Sequence, residues 1–297
     1  MDADRVELPD GRRLAWLEYG DRRGRPVLYC HGFPASATEA AFADAAAAGR
    51  GVRLIAPDRP GYGESDPWPG RSLPDWTRDA VTLLDRLGIR RAPVIGVSGG
   101  GPYALACTAR RPDRFPRAAT FGALGPLAAA DSDRGMTAFN RCCIRLARND
   151  HRFLHAALFH VLAALIRLSP TNIFRLVAAG ESGADRELFR DRAMRAIWTE
   201  SLRRSVLQGA GAAIRELRLY VAEWGFRPAD VGVPVRLWHG LDDAIVPPFH
   251  ARELGARLPD ATVDLLAGEG HFTTPVRYID AGIDWLLAGD EERPRAG

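Results

Sequence analysis

A chain of 297 residues with 46% hydrophobic content can bury a large core, and an α/β fold of this size often forms one domain with an insertion. A net charge of +3, without runs of like charge, speaks against nucleic acid or an anionic membrane as the main partner. The acidic start has no apolar core of signal-peptide length, Cys30, Cys107, Cys142 and Cys143 lack metal or disulfide spacing, and the most apolar stretch, 153–168, is too short and polar to span a bilayer; a cytoplasmic protein with reduced thiols is expected.

In chain order, residues 5–8 and 13–19 flank the Pro9-Asp10-Gly11 turn and read as an antiparallel hairpin at a sheet edge. The apolar run 26–30 ends at His31-Gly32-Phe33-Pro34. An alanine-rich helix, capped by Ser36 or Thr38, continues to Ala48, and 52–56 returns as a buried strand. The loop Asp58-Arg59-Pro60-Gly61-Tyr62-Gly63-Glu64-Ser65 and a helix over 73–87 lead to Val94-Ile95-Gly96-Val97-Ser98-Gly99-Gly100. Here a β-branched strand meets a helix, and Ser98 stands on the turn between them. This is a Gly-x-Ser-x-Gly pattern: the turn strains its central residue, and Gly96 and Gly100 lack the Cβ atoms that would collide with it.

A strand over 118–124 follows, and then about 100 residues show helical periodicity alone, with breaks near Asp150, Pro170, 180–183 and 209–211. Strands resume at 233–238 and 263–266, with helices over 248–258 and 274–287 and a polar, frayed tail at 289–297. This β-α-β spacing predicts a mostly parallel sheet covered on both faces, with the helical stretch inserted between two of its strands. Past the strand at 233–238 lies Gly240-Leu241-Asp242-Asp243-Ala244-Ile245-Val246-Pro247, and past the next lies Gly268-Glu269-Gly270-His271-Phe272. Functional groups of a parallel sheet collect at such strand ends.

With those motifs in place, the chain resembles the α/β-hydrolase superfamily, in the branch with a helical cap and a His-Gly-x-Pro oxyanion loop, over roughly residues 5–288. The resemblance implies an eight-stranded, mostly parallel sheet, a core of 1–126 and 231–297, and a helical cap over 127–230. It implies Ser98 as nucleophile, His271 as general base and Asp243 as the acid; Asp242 is the competing carboxylate. Backbone N–H groups of Phe33 and Gly99 are the implied oxyanion donors. Epoxide hydrolases and haloalkane dehalogenases share the His-Gly-x-Pro loop, but their nucleophile is an aspartate, where this chain has Ser98.

Other residues have structural readings. His31 and His239 belong inside the fold, His155 and His160 pack on an apolar helix, and Asp58, Arg59 and Ser65 brace the loop near the oxyanion site. Gly99-Gly100-Gly101 lacks a Walker lysine, so nucleotide is not expected, nor is any metal or other cofactor. Tyr103, Phe153, Trp198, Trp224 and Phe272 are candidates to line an apolar pocket. The segment 127–230 holds 16 arginines and 11 carboxylates, and arginines spaced along helices read first as a solvated face. The expected function is a serine hydrolase of a small to medium apolar carboxylic ester or related acyl compound, acting as monomer or homodimer. Carbon–carbon bond hydrolysis, lyase or perhydrolase chemistry on the same three residues is the alternative, as is a noncatalytic binding protein on the same fold.

Overall fold

The computed structural model describes residues 3–149, 151–180 and 182–288. Strands β1 (Asp4–Glu7) and β2 (Arg13–Gly20) form an antiparallel hairpin, and β2 runs antiparallel to β4 (Val52–Pro57). The remaining strands, β3 (Arg25–Cys30), β5 (Val94–Val97), β6 (Ala118–Phe121), β7 (Val235–Gly240) and β8 (Ala261–Leu266), pair in parallel. The eight-stranded order is β1-β2-β4-β3-β5-β6-β7-β8. All four residues of β5 and of β6 are buried, as expected of parallel strands covered by helices on both faces.

Alternate residues serve opposite layers. Leu54, Ala56, Ile95 and Val97 pack in the layer of α1 (Asp44–Gly49) and α11 (Thr273–Ala288). Ile55 and Val94 pack in the layer of α2 (Trp76–Arg86) and α3 (Gly101–Arg110). Between adjacent strands β6 and β7 the chain forms α4 (Ala138–Arg148), α5 (Arg152–Leu168), α6 (Pro170–Ala179), α7 (Gly183–Leu188), α8 (Arg192–Ser205) and α9 (Gly211–Val221). After β7, α10 (Phe249–Arg257) leads into β8. The expected break at Asp150 and the tail 289–297 lie outside the described residues.

Three local expectations change. The alanine-rich segment starts as a 3-10 turn, Ala37–Ala43, and Ser36 does not cap it: its hydroxyl pairs with Thr38 Oγ1 at 2.7 Å, and its backbone N–H donates to Ser201 Oγ at 3.0 Å. Strand β6 stops at Phe121 because Gly122 turns away at φ +56°. His160 is exposed, whereas His155 is buried edge-on to Phe159 at 4.9 Å.

Helix α5 is apolar on both faces. Its inner face buries Phe159 and Ile166, and its outer face exposes Phe153, Leu154, Val161 and Leu168. No single described helix is long and apolar enough to cross a membrane; α5 and α6 meet at a bend of 113°.

A buried ion cluster fastens α9 to the sheet side. Glu216 accepts from Arg59 at 2.8 Å through both carboxylate oxygens and from Arg71 at 3.0 Å, and all three side chains are at most 1% exposed. Burial alone would raise the Glu216 carboxyl, but Arg59 and then Arg71 hold it down at about 2. Its contribution to stability is therefore complete above the ordinary carboxylate pKa and is lost as pH falls toward 2. Replacing Glu216 with Gln leaves two guanidinium groups buried without a counter-charge. Urea unfolding at neutral pH should show a loss of about 3–5 kcal/mol; a loss below 1 kcal/mol would mean that the cluster is solvated or dispensable.

Candidate active site

Strand β5 delivers Ser98 into a turn that only its surroundings can impose. Ser98 has φ +53° and is the one described non-glycine residue in the left-handed region. A Cβ at Gly100 would lie 2.0 Å from the Cys30 carbonyl oxygen, and one at Gly96 would lie 2.8 Å from the Gly100 carbonyl oxygen. The two glycines thus let β5, the turn and the end of β3 close on one another. The Ser98 carbonyl is held by the Leu124 N–H at 3.1 Å.

Two later strand ends bring the acid and the histidine together. His271 Nδ1 lies 2.7 Å from Asp243 Oδ2. The other oxygen, Oδ1, accepts the backbone N–H groups of Ile245 and Val246 at 3.0 and 2.8 Å. Asp243 is therefore oriented by its own turn toward the imidazole, whereas Asp242 is exposed. Ser98, Asp243 and His271 are each less than 8% exposed. His239 stays structural: Nε2 donates to the Val246 carbonyl at 2.6 Å, and burial pushes its pKa down.

The His31–Pro34 loop abuts the serine turn. A Cβ at Gly99 would sit 2.6 Å from Phe33 Cβ, and one at Gly32 would sit 3.6 Å from Ser98 Cβ. Arg59 donates to the His31 carbonyl and to the Gly32 carbonyl (2.8 Å), and its backbone N–H donates to His31 Nε2 at 3.2 Å. Burial, then the Arg59 charge, pushes His31 well below its usual pKa. Asp58 accepts the Ala37 N–H at 2.7 Å, and Ser65 donates to the Asp58 carbonyl at 2.6 Å, so both are loop braces. Tyr220 of α9 donates to the Gly99 carbonyl at 2.8 Å and meets the Phe33 ring edge-on at 5.5 Å.

Of the aromatic candidates, Phe272 and Trp198 come together, their rings 5.0 Å apart, beside His271. Phe153 does not belong with them. It is 91% exposed, because it points from the side of α5 opposite His155 and Phe159. Tyr103 is fully buried, and its hydroxyl accepts from Arg71 at 2.7 Å. Trp224 packs on Phe226 within the main core. Glu39, Asp185, Glu216 and Tyr220 carry structural roles at the site that no motif announces. Glu39 alone has a sequence signal: it is one of two carboxylates, with Asp44, in an alanine-rich stretch, where a buried face is to be expected.

The family of the alpha/beta hydrolase fold matches the chain over residues 25–277. The chain belongs to the α/β-hydrolase family. Similar proteins include a non-heme chloroperoxidase of Streptomyces lividans, 34% identical over 124 residues, 41% of this chain and 45% of that protein. A 2-hydroxymuconate semialdehyde hydrolase of Pseudomonas putida is 38% identical over 121 residues, 40% of this chain and 42% of that protein. The matches thus span less than half the length of these relatives. Among solved structures, a bromoperoxidase from Bacillus anthracis aligns over 96% of this chain and 99% of its own, with a TM-score of 0.71 at 19% identity, a likeness of fold.

Glu39 lies under the loop of this α/β hydrolase. Its Oε1 accepts the Gly32 N–H at 2.9 Å and the Tyr29 hydroxyl at 2.7 Å. Burial pushes its carboxyl up to about 7, against the lowering effect of those hydrogen bonds, Arg59 and His271. The folded state then keeps a proton that the unfolded chain releases near 4.5, so stability falls as pH rises between those values. Replacing Glu39 with Gln keeps an oxygen acceptor and removes the titration. The stability of this variant relative to wild type should rise by on the order of 3 kcal/mol from about pH 5 to about pH 8. A difference that is constant with pH would show that Glu39 is charged throughout.

Proposed function

We propose that this α/β hydrolase is a serine hydrolase that cleaves a small to medium apolar carboxylic ester, or a related acyl compound, through an acyl-enzyme. The observation that carries the reading is Ser98 in a strained strand-to-helix turn, on the same sheet edge as an imidazole bonded at 2.7 Å to a buried carboxylate. A serine hydroxyl alone is a weak nucleophile. In the proposed mechanism His271 takes the Ser98 proton as Oγ attacks the carbonyl carbon. Asp243 holds the Nδ1–H and stabilises the imidazolium. Backbone N–H groups of Phe33 and Gly99 receive the oxyanion, a role typically worth about 10²–10³ in rate for one donor. Collapse expels the alcohol, which takes the proton from His271. Water, deprotonated by the same imidazole, then releases the acid and frees Ser98.

Phe33, Phe272 and Trp198 support an apolar acyl group, since they bring aromatic surface next to the serine turn and the histidine. Carbon–carbon bond hydrolysis on the same three residues is the second reading. The match to 2-hydroxymuconate semialdehyde hydrolase supports it, and the match to a non-heme chloroperoxidase keeps perhydrolase chemistry beside it.

A fluorophosphonate probe should add once to the wild-type protein, seen by intact mass, and not to Ser98→Ala, whose ester turnover should fall by about 10³-fold or more. Retained turnover would remove Ser98 from the mechanism. Asp243→Asn should lower kcat by about 10³–10⁴-fold through the wrong histidine tautomer, with Asp242→Asn near wild type. The reverse ranking would exchange the two carboxylates. A panel of esters beside an activated vinylogous ketone separates acyl–oxygen from carbon–carbon cleavage.

A further inference from the structure

The loop carrying His271 is held from outside the sheet. Asp185, in the short helix α7 between β6 and β7, is fully buried, and its carboxylate turns away from its own helix. Oδ2 accepts the His271 N–H at 2.8 Å, and Oδ1 accepts the N–H groups of Phe272 and Thr273 at 3.0 and 2.8 Å. The last of these is the first N–H of α11, which begins at Thr273, and the other two lie on the turn that leads into it. A carboxylate facing a helix N-terminus is favoured by the helix dipole as well as by the hydrogen bonds. What a neighbouring Asp or Ser usually does for its own helix is done here from 86 residues away. The Ser182 hydroxyl accepts the Asp185 N–H at 3.1 Å and thereby fixes the start of α7.

The same loop is gripped by rings. Phe272 meets Phe189, just past α7, at 4.9 Å, and Trp198 of α8 at 5.0 Å. Those contacts orient the Phe272 side chain. The backbone N–H of His271 is bound instead by the Asp185 carboxylate.

We propose that Asp185 is a positioning residue for the reaction: through its bonds to His271, Phe272 and Thr273 it sets the imidazole against Asp243 and Ser98, so that the helical insertion assembles the site as well as covering it. The proposal rests on the reading of Ser98, His271 and Asp243 as catalytic. Well-oriented reacting groups lose on the order of 10²-fold for a displacement of about 1 Å, so loosening the loop should act on the chemical step and spare substrate binding.

The test compares Asp185→Asn with Asp191→Ala. Asp191 caps α8 by accepting the Ala193 and Met194 N–H groups at 2.6 and 3.3 Å, within the same insertion. It therefore controls for general loosening. Fluorophosphonate labelling rate, kcat and KM on a turned-over ester, and the far-downfield proton signal of the His271–Asp243 hydrogen bond are measured on each folded protein. Support is a drop of about tenfold or more in labelling rate and kcat for Asp185→Asn, KM within about twofold, and a lost or shifted downfield signal, with Asp191→Ala unchanged. Wild-type kinetics in Asp185→Asn, or equal losses in both variants, would overturn it. If Asp185→Asn does not fold, Ser182→Ala, which frees the start of α7, should show the same pattern to a smaller degree, and wild-type behaviour there overturns the proposal. If the wild type itself fails to label, the catalytic reading falls. The downfield signal then decides alone whether Asp185 holds His271 against Asp243.

Discussion

A serine at φ +53° is an unfavourable backbone state, costing of order 1–3 kcal/mol, and it persists only where the surroundings determine it several times over. Here the constraint comes from β3 and β5. Their parallel pairing brings the Cys30 carbonyl to where a side chain on Gly100 would be, and Leu124, beyond β6, binds the Ser98 carbonyl. Once the turn is fixed, the loop after β3 has one place to go, against Gly99, and Phe33 is carried to it. The order of strands thus dictates which loops meet. The side chains on those loops decide what the meeting can do.

The helices between β6 and β7 supply three buried polar anchors, each on a different part of the site. Tyr220 holds the Gly99 carbonyl, Glu216 acts through Arg59 on the carbonyls of His31 and Gly32, and Asp185 holds the start of α11 at His271. Burying such groups is costly unless every one is paired, and the penalty for displacing any of them is correspondingly high. A greasy contact between the helices and the sheet would permit sliding. These anchors do not, because each has a fixed stereochemical partner across the boundary.

How much of this was legible depended on whether a feature is local. The serine turn, the acid and histidine loops and the strand sequence are short-range patterns with a mechanical cause, and the eight-stranded sheet follows them closely. Ser36 does not cap the helix because its hydroxyl pairs with Thr38 Oγ1 at 2.7 Å and faces Ser201 Oγ at 3.5 Å, and an isolated sequence cannot show that distant neighbour. Residue type alone groups Phe153 with the pocket. Helical phase relative to Phe159 would have placed it on the other face, but α5 is so apolar all round that its pattern does not say which face is inward. Asp185 illustrates the deeper obstacle. Ser182-Gly183-Ala184-Asp185 reads as an ordinary start of a short helix, and nothing in it names a partner in α11.

The arginine excess of the segment 127–230 also finds its meaning in the structure. Arg148 donates to the Leu127 and Ala130 carbonyls, Arg167 to those of Val206 and Leu207, and Arg215 to that of Arg71. Arg204 reaches Glu64 and Arg145 reaches Asp133. A guanidinium presents several donors in one plane and can bind two carbonyls at once, which a lysine ammonium does less well. Part of the positive charge is therefore used within the fold, on carbonyls and carboxylates of neighbouring segments, while Arg175, Arg190 and Arg192 stay exposed. The +5 balance of that segment is thus no guide by itself to the charge of a ligand.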